Sequence, residues 1–196
     1  MKLILASASP RRKEILASLG CEFEIITADI DENIDEPDPA THVRILAYNK
    51  AEAVREHTDE DALIIAADTV VSVDSRILGK PRDRADAEQM LRSLSGRQHS
   101  VISGVAVSYK GKTVTAAEIT QVTFKTLTDK ELEAYLDTDE PYDKAGAYAV
   151  QGLAALFIEG IHGDYFNVVG LPVHRLYTLL SELDCNAQSI FGALKL

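Results

Sequence analysis

Ala-Leu-Ile-Ile-Ala-Ala-Asp-Thr-Val-Val-Ser-Val, residues 62–73, is the most apolar stretch in this 196-residue chain. So continuous a run suits a strand buried on both faces of an α/β sheet. One carboxylate interrupts it, at Asp68. An ionised carboxylate inside such a run is costly unless a metal, a cation or good hydrogen bonds hold it, or unless it lies at the strand's mouth. Ligands in open α/β sheets gather at strand C-terminal ends, which is where a metal-binding or water-activating Asp68 is expected. The structural alternative is an aspartate capping the turn after the strand.

Working outward, Lys2 to Ala6 reads as a short strand that ends in Ser-Ala-Ser-Pro. Arg11 to Leu19 then carries Ile15, Leu16 and Leu19 at helical spacing before Gly20. Phe23 to Thr27 reads as a second strand, followed by an acidic loop through Asp29, Asp31, Glu32, Asp35, Glu36 and Asp38. Val43, Leu46, Ala47, Ala51 and Val54 predict a helix over Ala40 to Glu56. Beyond the central run, Gly79-Lys80-Pro81 is a turn and Arg84 to Leu94 a helix capped by Asp83. Gln98 to Tyr109 and Thr113 to Lys125 alternate and pair across Lys110-Gly111. Thr128-Asp129-Lys130-Glu131 is a capping box opening a helix to about Asp137. Loops then run from Tyr142 to Gly170, with short strands predicted at Tyr148 to Gln151, Ala155 to Glu159 and Phe166 to Val169. Pro172, as a first helical residue, starts the last helix, which runs to about Asp184. With no repeat, low-complexity tract or dividing linker, the expectation is a single mixed α/β domain over residues 1–196.

The chain has 20 Lys plus Arg against 31 Asp plus Glu, a net charge of −11. That balance argues against a broad basic face for a nucleic-acid polymer, while leaving room for a small basic pocket. Cys21 and Cys185 show no CxxC or CxxH spacing, so neither a disulfide framework nor a zinc site is supported. No apolar run approaches the ~20 residues that span a bilayer, and the N-terminus does not read as a signal peptide, so the expected address is the cytoplasm.

Ser7-Ala8-Ser9-Pro10-Arg11-Arg12-Lys13 leaves a strand and enters a helix. Helix N-terminal amides, two hydroxyls and three cations suit phosphate, although neither GxxxxGK[ST] nor GxGxxG is present. The competing reading is a serine cap with surface arginines, which sits poorly with cations at the positive end of a helix. Lys80 lies in a rigid turn, and Pro81 holds it extended, able to aim its ammonium at the same cleft. Glu32 is one candidate among the loop acids, which as a group more often face solvent. In Asp143-Lys144-Ala145-Gly146-Ala147-Tyr148-Ala149-Val150-Gln151-Gly152, small residues permit close approach to a flat ligand, and the Gln151 amide both donates and accepts. A packed Gly/Ala turn is the equal alternative. The five histidines show no HxxxH or HExxH spacing.

Taken in order, these motifs resemble the Maf family of nucleotide pyrophosphatases. The resemblance rests on Leu-Ala-Ser-Ala-Ser-Pro-Arg-Arg at 5–12, Glu32, Lys50 in Asn-Lys-Ala, Ala-Ala-Asp-Thr at 66–69 and Gly-Lys-Pro at 79–81. Leu-Ser-Gly-Arg at 94–97, residues 143–152, Gly-Asp-Tyr at 163–165 and Val-Gly-Leu-Pro at 169–172 extend it over nearly the whole chain. It implies an elongated, ITPase-like mixed α/β sheet flanked by helices, with a substrate cleft between two lobes. It also implies hydrolysis of nucleoside triphosphates to monophosphate and pyrophosphate with Mg²⁺ or Mn²⁺. The pattern around residues 143–151 is similar to the branch preferring dTTP and UTP.

By that likeness Asp68 matches the catalytic acid, and Arg11, Thr69 and Gln151 match positions tied to base choice. Ser7, Arg12, Glu32, Lys50 and Lys80 match positions lining the triphosphate and metal site. A mechanism follows from the charges: cations neutralise about four negative charges of the triphosphate before a nucleophile approaches. Glu32 and Asp68 would hold the metal, and Asp68 would orient a water at the α-phosphorus while Lys80 steadies the leaving pyrophosphate. Gln151 would meet the O4 and N3–H edge shared by thymine and uracil. The resemblance implies a small-molecule substrate without nucleic-acid polymer or membrane, and leaves a homodimer open. Two rival readings are a regulatory nucleotide-binding protein linked to cell division, separated by metal-dependent turnover, and a nucleic-acid-binding module, separated by salt-dependent binding.

Overall fold

The computed structural model describes residues 2–183, 185, 190 and 191. The apolar run forms strand β3, Leu63–Val73. Around it lie β1 (Leu3–Leu5), β2 (Glu24–Ile25), β4 (Arg76–Leu78), β5 (Gln98–Tyr109), β6 (Lys112–Phe124) and β7 (Ile158–His162). Among the described residues these form one seven-stranded sheet in the order β2-β1-β3-β5-β6-β7, with β4 also paired to β3. β1 is parallel to β2 and β3, and the other pairings are antiparallel, so the sheet is mixed as expected. The helices are α1 (Pro10–Ser18), α2 (Pro39–Arg55), α3 (Arg84–Leu94), α4 (Asp129–Leu136), α5 (Tyr165–Val169) and α6 (Val173–Glu182).

Alternation along β3 divides the interior. On one face Leu63, Ile65 and Ala67 pack with Ile15 and Leu16 of α1 and Leu176 and Leu180 of α6. Farther along the same face Val71 and Val73 enter a second core with Leu91 and Leu94 of α3 and Leu132 and Leu136 of α4. On the opposite face Ile64 and Ala66 pack with Ala47, Ala51 and Val54 of α2, and Val70 packs with Val43. Asp68 and Thr69, neighbours pointing to opposite faces, fall between these clusters on each side. The two lobes thus share their long strands, which span ~40 Å at the usual rise, and β3 turns polar where the cores separate.

β1 pairs with β3 as far as Ile65, and β4 pairs with it from Val71 onward. Because β5 takes the other edge, β3 lies open between them, and the C-terminal ends of both β1 and β4 point at Asp68. The expected position of Asp68 at the mouth of its own strand is therefore corrected. It sits in the middle of β3, and the flanking strands end there instead.

Gly104 is paired with Asp68 in β5. A Cβ at Gly104 would lie 2.2 Å from the Val43 carbonyl oxygen, so α2 rests its backbone directly on the sheet. Lys50 stands seven residues, or about two turns, beyond Val43 on the same face. Gly104→Val should cost about 2–3 kcal/mol in urea unfolding and depress activity by lifting α2, since overpacking cannot be relieved by a backbone carbonyl. An unchanged urea midpoint would contradict this packing.

Departures from expectation concentrate at residues 142–170. Tyr148 to Gln151 is extended at Tyr148 but joins no strand, residues 153–157 form a 3₁₀ turn, and the strand begins at Ile158. The carboxylate of Glu140 accepts the amides of Leu153 and Ala154 and the Tyr135 hydroxyl, which holds this turn in place of a ladder. Phe166 to Val169 is helical: Asp164 accepts from the Phe166 N–H at its start, and Gly170, at φ 121°, ends it. β4 lies in a segment with no predicted strand. Pro172 is the N-cap of α6, and Asp184, the expected end of that helix, lies outside the described residues.

Candidate active site

The gap along β3 opens into a cleft of about 740 Å³, lined by the 6–12 turn, Glu32, Lys50, Asp68, Thr69, Lys80, the 143–150 segment and Gly170. That size suits one nucleotide-sized ligand. On the α2 face, Lys50 Nζ donates to Asp68 Oδ1 at 2.7 Å and sits 2.7 Å from Glu32 Oε1, so one ammonium bridges the two carboxylates. The side chains of Lys50 and Asp68 are only 16% and 14% exposed, whereas Glu32 is 60% exposed. The Lys50 hydrogen bond holds the Glu32 carboxyl below the usual carboxylate range against its partial burial, helped by the charges of Lys50, Lys80 and Arg12. Asp68 Oδ2 makes no hydrogen bond among the described residues.

Arg12 lines the cleft, yet most of its hydrogen-bonding capacity is spent within the protein. Its Nε donates to Gly170 O at 2.8 Å, Nη1 to Ala67 O at 2.8 Å and Ser7 Oγ at 3.0 Å, and Nη2 to Thr69 Oγ1 at 3.1 Å. Four of its five N–H groups are committed, one to a carbonyl that β1 leaves open on β3. Arg12 is a clasp joining both lobes' segments, with a single N–H to spare. Burial pulls its guanidinium below the ordinary value, and Asp68 opposes that pull. Ser7 Oγ also accepts the Ser9 N–H at 3.3 Å. Arg11 and Lys80 line the cleft and form no ion pair among the described residues, so they are the cations free for an anionic ligand.

Residues 2–183 match the family model described as Maf-like protein. The chain is 50% identical over 187 residues to a dTTP/UTP pyrophosphatase of Bacillus cytotoxicus, covering 95% of this chain and 97% of that one. The chain belongs to the Maf family. A dTTP/UTP pyrophosphatase of Alkaliphilus metalliredigens is 53% identical over 184 residues, 92% of this chain and 95% of the relative. A solved nucleoside-triphosphatase / dITP/XTP pyrophosphatase from Mycobacterium abscessus aligns over 97% of this chain and 99% of its own, with TM-score 0.48 and 16% identity.

Of the residues singled out by the Maf resemblance, Ser7, Arg11, Arg12, Glu32, Lys50, Asp68, Thr69 and Lys80 all meet in the cleft. Gln151 does not: it is exposed, one residue past Val150, where the lining of that segment stops. Sequence reasoning missed Ser103 and Asn167, both fully buried polar residues beneath Thr69. The signal for Ser103 was a hydroxyl inside the otherwise apolar Val101 to Val107. For Asn167 it was an amide in a short segment after the Asp164 cap.

Tyr148 on the cleft wall is tied from behind by His99, whose Nε2 lies 2.8 Å from the phenol oxygen. His99 is 2% exposed, packed edge-on against Phe124 and Tyr148, and its Nδ1 has no partner among the described residues. Burial pulls its pKa down to about 4. Between an unfolded value near 6.5 and that value, the unfolded chain binds more protons, so stability falls with falling pH across this window and levels off below it. The loss should approach ~3 kcal/mol. His99→Phe should remove most of that slope in urea titrations at pH 7 and 4.5; an equal slope in both proteins would rule out His99 as its source.

Proposed function

We propose that this protein hydrolyses dTTP and UTP to the monophosphate and pyrophosphate. The observation that carries the reading is the Glu32–Lys50–Asp68 cluster set in the wall of a cleft whose unpaired cations, Arg11 and Lys80, await a polyanion. The names of relatives about half identical over nearly the whole chain support the same substrates. A regulatory nucleotide binder would need the cations but would have no use for the acidic pair.

The donor set fits a divalent cation. Two carboxylate oxygens already converge on a positive charge, and Mg²⁺ is commonly held by one or two carboxylates together with substrate phosphates. Asp68 and Glu32 would hold Mg²⁺ or Mn²⁺, which supplies Lewis-acid neutralisation of the triphosphate when bound. Arg11, Lys80 and the amides at the start of α1 bind the phosphate chain. Asp68 Oδ2, free of partners among the described residues, accepts the proton of a water aligned on the α-phosphorus, while Lys50 holds the other carboxylate oxygen at 2.7 Å. As pyrophosphate departs, Lys80 in its extended turn offsets the growing charge. Base choice is assigned to the wall around Thr69 rather than to Gln151 alone.

A panel of nucleoside triphosphates read by pyrophosphate release tests this. dTTP and UTP should lead it, with pyrophosphate and monophosphate in equal amounts. Release of orthophosphate, or binding without turnover in Mg²⁺ and Mn²⁺, would overturn the reading.

A further inference from the structure

We infer that Ser103 is a specificity-determining positioning residue: it makes Thr69 a hydrogen-bond acceptor toward the cleft, which selects a pyrimidine carrying an N3–H. The inference rests on the function proposed above.

Thr69 and Ser103 are direct cross-strand partners of β3 and β5. Four groups form a chain there. Arg12 Nη2 donates to Thr69 Oγ1 at 3.1 Å, Thr69 Oγ1 and Ser103 Oγ are 2.8 Å apart, and Ser103 Oγ donates to the Asn167 carbonyl oxygen at 3.0 Å. The ends of the chain fix its direction. A guanidinium only donates and a carbonyl only accepts. Asn167 is fully buried, and the helical bond its carbonyl would otherwise receive is absent because the Leu171 N–H goes to Phe166 O. The Ser103 proton is thus needed at that carbonyl. Each hydroxyl has one proton, so the Thr69 proton must go to Ser103.

Asn167 itself cannot drift, since its Nδ2 donates to Val101 O at 3.0 Å and Thr120 Oγ1 at 2.9 Å. Thr69 therefore faces the cleft with a lone pair and no available proton. Phosphate oxygens are acceptors at neutral pH, so the Thr69 hydroxyl is mismatched to the triphosphate and suited to the nucleoside. Uracil and thymine present an N3–H, whereas cytosine presents a bare N3. The same lone pair that accepts from the first two is set against the lone pair of the third.

Ser103→Ala removes the acceptor without adding volume, and frees the Thr69 hydroxyl to turn its proton toward the cleft. The test is kcat/KM for UTP, CTP and dUTP in wild type, Ser103→Ala and Thr69→Val, with Tm as the check on folding. Wild type should favour UTP strongly over CTP. In Ser103→Ala the UTP:CTP ratio should fall roughly tenfold, largely by a gain on CTP, which is the scale of one hydrogen bond. Thr69→Val should lose on UTP without gaining on CTP. An unchanged UTP:CTP ratio in folded Ser103→Ala overturns the inference, as does a change in UTP:dUTP alone, which would place the sugar at Thr69. If wild type itself releases no pyrophosphate from UTP, it is the function proposed above that fails.

Discussion

Asp68→Asn should lower kcat for UTP by about 10³-fold, with Tm within a few degrees of wild type. The size follows from removing a positioned general base, an effect usually worth 10²–10⁴. An amide cannot take the proton of the attacking water, and its NH₂ offers donors where a cation or Lys50 expects oxygen. The fold should survive because Lys50 retains Glu32 at 2.7 Å, and because Asp68 lies in a polar seam outside all four apolar clusters. Stopped-flow or endpoint pyrophosphate assays at saturating UTP give kcat directly. A kcat within threefold of wild type would remove Asp68 from the chemistry.

Lys50→Met should have the second largest effect, and it has a readout independent of turnover. Without the ammonium, Asp68 and Glu32 face one another as like charges, one of them largely buried. Breaking a buried pair commonly costs 3–5 kcal/mol, but Glu32 is well exposed, so about 2 kcal/mol at neutral pH is expected. Because a divalent cation can take the place of the lost charge, millimolar Mn²⁺ should raise the Tm of Lys50→Met by several degrees and that of wild type much less. Lowering the pH should also narrow the gap between the two proteins, since Glu32, held below the usual carboxylate range by Lys50 in the wild type, loses that support in the variant, and its protonation relieves the repulsion. Equal Tm shifts with Mn²⁺ in both proteins would mean that the two carboxylates do not form one cation site.

The sequence already carried much of this arrangement. The buried strand at 62–73, the long β5–β6 pair, the Asp83 and Thr128 caps and the helix opposite β3 are local patterns, set by alternation, 3.6-residue spacing and capping chemistry. The cation-rich turn and Asp68 were legible for the same reason, since charge in an apolar run demands a partner. What was not legible depends on which strands lie side by side. The gap in β3 exists because β1 stops at Leu5 and β4 stops at Leu78 on the same edge, and the three-residue β4 has no decisive pattern. Thr69 opposite Ser103 is a register across the non-consecutive strands β3 and β5, so no local rule could pair them. Over Phe166 to Val169 the aromatic and β-branched residues predict a strand, but the Asp164 cap and Gly170 outweigh propensity and the segment Tyr165–Val169 is helical. Arg12 reads as a phosphate ligand because an arginine beside a helix start attracts anions, while three of its four internal acceptors come from two distant segments, at residues 67–69 and 170, and the fourth from Ser7 in its own turn.

Hydrolysis of UTP in ¹⁸O-labelled water puts the central claim, water directed at the α-phosphorus by the Asp68 wall, to its most direct test. Mass spectrometry of the products should find one labelled oxygen in UMP and none in the pyrophosphate. Label in the pyrophosphate, or in released orthophosphate, would place the attack on another phosphorus and contradict this account of the site.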